Sequence, residues 1–487
     1  MLSFLIRSLL LVVFTFITTT CAINPVTGKS QIMFMSEEQE LQMGKEYDPQ
    51  VVATFGEYKN DALLSLLKSK AEEIGKISQR PNIEWHIRIL DSPVINAFAV
   101  PGGYVYFTRG ILASFTNEAE MVGVLGHEMG HVIARHSASQ QTKQQIGQLL
   151  LIGGMLASDK VAQYGQEAMQ AMQLLFLKFS RDNERQSDEL GVEYMSKIGY
   201  DGNQMADFFE VLNKQSMDKE EGGVPTFLST HPNPADREDR VRKLTKAWQD
   251  SIKKGDWKVN SESYLSMIDG MVYGEDPRQG YTEGNTFYHP EMKFRFSYPS
   301  GWQFQNTPMQ VGTAPKDGKA MIILTLAQQK TAEEAAQATT KQLGLSVQES
   351  KRIRVNNLPA VAVIGTQVQQ DPATGQRGPS LQVLSFYIEH GGAVYVFHGL
   401  SSESDFRKYQ REIESTLSSF APLNDQSKLN VKPKKVHVTT VKRSGSFSQV
   451  LASQGVPKSE FKEHEILNNL DLNSDVPAGT LVKIIGE

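Results

Sequence analysis

Two histidines four residues apart with a glutamate between them, His127-Glu128-Met129-Gly130-His131, constrain this chain more than any other stretch of it. In a helix that spacing puts both imidazoles on one face, one turn apart, where they can hold a single ion with Glu128 beside the open coordination position. The fold must therefore supply a helix here and a further ligand from elsewhere. Asn117 followed three residues later by Glu120 is a helix-start signature, and Met121, Val122, Val124, Leu125, Met129, Val132 and Ile133 then recur at helical spacing. Gly123, Gly126 and Gly130 each cost about 1 kcal/mol relative to alanine inside a helix, which close backbone packing around a buried site would offset.

A catalytic zinc takes three protein ligands and keeps one position open. The all-histidine version needs a glycine at position 134 and a histidine at 137, where the chain has Ala134 and Ser137; His136 is one residue out of register. The carboxylate version needs a glutamate on a later helix. The run from Phe179 to Asp188 offers Glu184 and Asp188 on one helical face, which Gly191 continues. Glu184 as ligand and Asp188 as acceptor for a zinc-bound imidazole N–H would supply the orienting contact such sites contain. The same pattern also suits a solvated, salt-bridging helix, because Arg181, Arg185 and Glu189 lie close by; Glu167, Glu189 and Glu193 are better read that way.

Taken together, His127 to His131, the segment Ser180 to Asp188, and His231-Pro232 followed by Arg237 resemble the zinc endopeptidases related to CAAX prenyl endopeptidase. The mature start Asn24-Pro25-Val26-Thr27-Gly28-Lys29, with Ser36 to Glu40, resembles the bacterial periplasmic members of that family, typified by the beta-barrel assembly-enhancing protease and its lipoprotein relatives. The likeness covers roughly residues 22 to 250. It implies a mainly α zincin fold, gluzincin-like, with a small β element. It also implies one Zn2+ per chain held by His127, His131 and Glu184, with Glu128 as general base and Asp188 behind the ligands. His231 is implied near the metal, either stabilising the transition state or serving as a removable fourth ligand. Arg237 is a weaker correspondence, since Arg240 and Arg242 crowd the same segment.

Substrate presentation would fall to Asn96, Ala97, Phe98 and Ala99, ahead of Pro101-Gly102-Gly103. The resemblance implies an edge strand that pairs with an extended peptide, whereas periodicity alone reads the run as a core strand leading into Tyr104-Val105-Tyr106-Phe107. Backbone pairing selects extended conformation, so unfolded or misassembled chains are the expected substrates. Residues 140 to 173 contain Leu149 to Leu156, an apolar run too short to span a bilayer. They read as a helical hairpin with a Gly-Gly break that covers the cleft or dips into a membrane surface, or equally as buried core.

The N-terminus carries Arg7, an apolar run from Leu9 to Ile17, and then Cys21, the only cysteine of the chain. This has the length and polarity of a secretory signal over residues 1–21, and a lone cysteine after it suggests a lipoprotein anchored through Cys21. Thr18 and Thr20 depart from the residues usual before a lipidated cysteine. A net charge of -5 argues against nucleic acid as a partner, and 487 residues leave room for about three domains.

Domain boundaries follow from composition: peptidase 22–255, a polar linker 256–285 with Gly270, Gly274, Gly280 and Gly284, a third region 286–423, a basic linker 424–435, and a last module 436–487. In the third region, strands are expected at Met321 to Leu326, Ala360 to Ile364, Leu381 to Ile388 and Ala393 to Leu400, with helices at 331–343 and 404–418. That pattern makes an α+β domain, and it resembles the Mog1/PsbP type. The last 50 or so residues resemble a βααβ LysM module, with a strand at Val436 to Val441, a helix near Phe447 to Ala452 and a strand at Leu481 to Ile485. Such a module implies contact with peptidoglycan. Arg443-Ser444-Gly445-Ser446 replaces the Gly-Asp-Thr start usual there, which separates the fold from glycan binding. The chain as a whole reads as a zinc endopeptidase of envelope quality control, lipid-anchored and facing the periplasm, with the outer membrane favoured. The other reading is an envelope assembly factor whose latent proteolysis is gated by His231.

Overall fold

The computed structural model describes residues 21–142, 179–217, 227–231, 236–370 and 377–487 of the 487. The apolar leader at 1–20, most of the expected hairpin at 140–173 and Pro232 lie outside them. Among the described residues the chain divides into two compact units, one of residues up to 274 together with Lys434–Glu487, the other Glu275–Pro433.

The first unit opens with a short antiparallel pair, β1 (Cys21–Ile23) and β2 (Ser30–Ile32), followed by helices α1 (Glu37–Phe55) and α2 (Asp61–Ile77). Both helices begin where the sequence supplies a cap: the Ser36 hydroxyl accepts from Gln39 N–H in a reciprocal capping box, and the Asn60 side chain accepts from Leu63 N–H. A three-stranded sheet follows, with β5 (Tyr104–Thr108) central, β3 (His86–Leu90) parallel to it and β4 (Ala97–Val100) antiparallel on the edge. Then come α3 (Arg109–Ser114), α4 (Glu118–Ile133), α5 (Arg181–Lys197), α6 (Asn203–Met217), the single turn α7 (Phe227–Thr230), α8 (Arg237–Ile252) and α9 (Ser261–Ile268).

All 16 residues of α4 are buried, which makes it the central helix around which the unit packs. The Asn117 side chain accepts from Glu120 N–H, as the sequence predicts; the Glu120 carboxylate reaches one residue further back and accepts from Thr116 N–H and its hydroxyl. The glycines of α4 explain themselves at the crossing with α5. A Cβ at Gly126 would stand 3.1 Å from Gly191 Cα, and one at Gly191 would stand 3.2 Å from His127 N. The two backbones touch, with no room for any side chain between them. Helix α9 falls inside the stretch 256–285 read above as a linker. It is packed because Tyr264 and Ile268 are fully buried in the common core and the Tyr264 hydroxyl donates to Leu112 O at 2.7 Å.

The second unit is rich in β structure. Strands β6 (Tyr281–Glu283), β7 (Thr286–His289) and β8 (Phe294–Ser297) make an antiparallel meander, and β16 (Ala421–Pro422) adds to β8 at its side. A seven-stranded antiparallel sheet contains β9 (Gln303–Asn306), β10 (Val311–Ala314), β11 (Ala320–Leu326), β12 (Ser346–Val355), β13 (Leu358–Gln370), β14 (Arg377–His390) and β15 (Ala393–Ser402), in the order β12-β13-β14-β15-β11-β10-β9. Helix α10 (Ala332–Gln342) lies between β11 and β12, α11 (Phe406–Ser418) follows β15, and α12 (Gln426–Leu429) ends the unit. Phe294, Phe296, Phe397, Ile413 and Phe420 share its main apolar core.

The C-terminal residues return to the first unit. Strand β17 (Lys435–Thr440) pairs antiparallel with β20 (Leu481–Gly486), enclosing the short strands β18 (Gly445–Ser446) and β19 (Asp475–Val476) and helices α13 (Phe447–Ser453) and α14 (Phe461–Asn468). Val436 joins the core built around α4, and Tyr273 N–H donates to Lys434 O. Lys483, 1% exposed, donates to Ala113 O, Ser114 O and Phe115 O at 2.9, 3.0 and 2.9 Å. Three carbonyls at the end of α3 take all three protons of an ammonium group, and the negative end of the helix favours a cation there.

Candidate metal centre

Helices α4 and α5 cross with His127, His131 and Glu184 on their facing sides, because each set repeats at about one turn. The two imidazole Nε2 atoms stand 3.1 Å apart, and Glu184 carboxylate oxygens lie 3.5 Å from each of them. His231 arrives from the end of α7, whose first residue donates from Phe227 N–H to Ile95 O at 2.8 Å. The His231 ring stacks on Phe227 with centroids 4.3 Å apart, which places Nδ1 3.1 Å from Glu184 Oε1 and 3.3 Å from His127 Nε2. Ligand atoms of His127, His131, Glu184 and His231 all lie within 4.8 Å of one another, and all four residues are buried.

Glu128 points to the same place. Its Oε1 is 3.6 Å from His231 Nε2, and both of its oxygens are buried without a hydrogen-bond partner among the described residues. Glu184 Oε2 and His231 Nε2 are likewise buried without one. Orphaned polar atoms of this kind are costly, and so many converging on one point fit a bound cation. Three imidazoles and one carboxylate are a donor set that suits zinc. Burial pushes the Glu128 carboxyl above its ordinary range, and His231 and His127 pull the other way.

Asp188, one turn beyond Glu184, is also fully buried and accepts from His127 Nδ1 at 2.9 Å. It does not rely on that bond alone. Arg237 reaches it through Nη2 at 2.7 Å and Nε at 3.0 Å, and Arg240 through Nη2 at 2.6 Å. Burial alone would raise the Asp188 carboxyl; the Arg237 guanidinium and the His127 hydrogen bond outweigh it and hold the group below the usual range. Arg237 is itself fully buried and lies 3.8 Å over the Phe209 ring.

Of the residues singled out from the sequence, His127, Glu128, His131, Glu184, Asp188 and His231 come together. Asn96, Ala97, Phe98 and Ala99 lie on and just before the edge strand β4, one strand out from β5, and all are buried; Asn96 Oδ1 has no hydrogen-bond partner among the described residues. Cys21 begins β1, far along the chain from the cluster. Three participants were missed or undervalued. Arg237 and Arg240, spaced by three on α8, share a face and clamp Asp188 together, a signal present in their spacing. His136, out of register as a ligand, stands with its Nδ1 3.1 Å from His131 Nδ1.

Comparison with known proteins agrees with this geometry. Residues 62–246 match the model of Peptidase family M48. The chain is 29% identical over 255 residues to the mitochondrial metalloendopeptidase OMA1 of Bos taurus, covering 48% of each chain. It is 27% identical over 221 residues to the beta-barrel assembly-enhancing protease of Escherichia coli (strain K12), covering 44% of this chain and 45% of that one. The matches therefore span about half the length of these relatives. A solved structure of cyanobacterial PsbP from Synechocystis sp. PCC 6803 overlaps 29% of this chain and 94% of its own, at 11% identity and a TM-score of 0.24, too low to bear on the fold.

Proposed function

We propose, from the match of residues 62–246 to Peptidase family M48, that this protein is a zinc-dependent endopeptidase of unfolded or misassembled proteins in the bacterial cell envelope. The observation that carries the reading is the buried convergence of His127, His131, Glu184 and His231 beside a Glu128 whose two oxygens have no hydrogen-bond partner among the described residues. His127, His131 and Glu184 would hold the metal, oriented by Asp188. Bound zinc would supply Lewis acidity and lower the pKa of a water to near neutrality. Glu128 would take a proton from the attacking water and return it to the leaving amine. An extended substrate pairs with β4 along Asn96 to Ala99.

The envelope assignment is supported by the apolar leader before Cys21 and by likeness to a protein named for enhancing β-barrel assembly. No helix among the described residues is long and apolar enough to cross a membrane. Attachment in this proposal is through a lipid on Cys21, the lone cysteine after the apolar leader, with the outer membrane favoured. Residues 436–487 would contact peptidoglycan as a LysM-like module, and 286–423 would serve as an interaction domain of Mog1/PsbP type.

A second reading is favoured by the fourth donor. His231 stands as close to Glu184 as a ligand partner would, and a four-donor set closes a zinc site. In that reading the protein is an envelope assembly factor with latent proteolysis that His231 gates. The experiment is zinc-dependent cleavage of an unfolded protein by the unsubstituted chain and by His231→Ala at equal metal content. Cleavage that falls in the variant supports the working endopeptidase; cleavage that rises supports the gated one. No cleavage by either zinc-loaded protein rejects the endopeptidase reading.

A further inference from the structure

We propose that His136, itself fixed by Gln186, is a positioning residue that holds His131 in the tautomer presenting Nε2 to the metal. The inference rests on reading the cluster as a zinc site and adds a device that sets one ligand of it.

The backbone is what brings His136 to bear. In a continuous helix, position 136 would lie about 140° around the axis from position 131, on another face. Helix α4 instead ends at Ala134, and Arg135 adopts a left-handed conformation with φ of 60° before the chain resumes helical structure at 136–142. A non-glycine residue there is strained by about 1 kcal/mol or more and must be held. Arg135 is held: Nε meets Glu40 Oε1 at 2.7 Å and Nη2 donates to Met35 O at 2.8 Å. The turn swings the His136 ring edge-on to His131, with centroids 5.0 Å apart and planes 76° apart.

Hydrogen-bond polarity then fixes the protons. Gln186 Oε1 lies 2.9 Å from His136 Nε2 and can only accept, so Nε2 carries the proton. His136 Nδ1 is then the unprotonated nitrogen of the ring. It accepts from His131 Nδ1–H at 3.1 Å, and the Ser187 hydroxyl lies 3.3 Å away. His131 Nε2 is thereby left unprotonated and directed at the cluster, 3.1 Å from His127 Nε2 and 3.5 Å from Glu184 Oε1. The two ligand histidines are steadied by different means, His127 by the Asp188 carboxylate and His131 by a neutral imidazole. His136 is 2% exposed, so the chain of contacts is shielded from exchange with bulk water.

The test measures zinc affinity by chelator competition, beside thermal melting of the metal-free protein and the visible spectrum of the Co(II) form. The proteins compared are the unsubstituted chain, His136→Phe, His136→Gln and Gln186→Leu. His136→Phe keeps the ring shape without an acceptor, and it should bind zinc about 10–100-fold more weakly with a shifted Co(II) spectrum. His136→Gln restores an acceptor and should recover part of the loss, while Gln186→Leu should fall between the unsubstituted chain and His136→Phe. Zinc affinity of a folded His136→Phe indistinguishable from that of the unsubstituted chain overturns the proposal, as does a His136→Gln no better than His136→Phe. Should His136→Phe not fold, unchanged affinity in Gln186→Leu overturns it. An unsubstituted chain that binds no zinc removes the zinc reading and this inference with it.

Discussion

Asp188 is where charge at the centre is balanced: one carboxylate receives His127 Nδ1–H and two guanidinium groups, of which the Arg237 group is fully buried. Removing one partner of a buried ion pair leaves the other charged and unsolvated. Asp188→Ala is therefore expected to lower the stability of the metal-free protein by about 3–5 kcal/mol in denaturant unfolding, and to weaken zinc binding as well. A loss confined to zinc affinity would contradict this account of Arg237. Much of the residue scale was legible beforehand. Two histidines at i, i+4 and two carboxylates at i, i+4 carry their geometry in their spacing once both segments are helical. Which of Arg237, Arg240 and Arg242 would be buried was not, because that depends on how α8 lies across α5. Arg242 turns instead to Asp207 and Glu238.

Helix α4 can be wholly buried only because its glycines let α5 approach to backbone contact, and that approach sets the distance from His127 and His131 to Glu184. Gly126→Val introduces a branched side chain where even a Cβ would lie 3.1 Å from Gly191 Cα. Helix propensity changes little between these two residues, so separation of the helices dominates. The expected result is a loss of at least about 2 kcal/mol in thermal or chemical unfolding, with weaker zinc binding. Normal zinc affinity in that variant would show that the crossing does not set the site. Elements with a strong period were readable: the expected strands at Met321 to Leu326 and Ala393 to Leu400 are β11 and β15, and the two expected helices are α10 and α11 within two residues. The break after Ala134 was not, since nothing but the tertiary hold on Arg135 favours a left-handed arginine.

At the scale of the molecule, the residues up to 274 and the last 54 residues form one unit, joined at Lys483. Sequence alternation places a lysine between Val482 and Ile484 on the outer face of a strand, and the carbonyls at the neighbouring end of α3, with the Glu120 carboxylate, offset the cost of its burial. Lys483→Met would strand three buried carbonyls, and an expected loss of at least about 2 kcal/mol should appear in the melting of the peptidase unit. The second unit carries its own acid sensitivity. Burial pushes His398, which pairs with the Ser385 hydroxyl, down to about 4. The unfolded chain therefore binds a proton there that the folded unit refuses between about pH 6.5 and 4, so stability present at neutral pH falls by up to about 3 kcal/mol across that window. His398→Gln should flatten that slope in denaturant melts taken at successive pH values. The central claim concerns neither unit's stability but the chemistry at Glu128. It is tested most directly by cleavage of an unfolded protein with the unsubstituted chain and Glu128→Gln, each measured at equal bound zinc. The account predicts cleavage by the first and a loss of at least about 100-fold in the second with zinc retained; equal cleavage by both would contradict it.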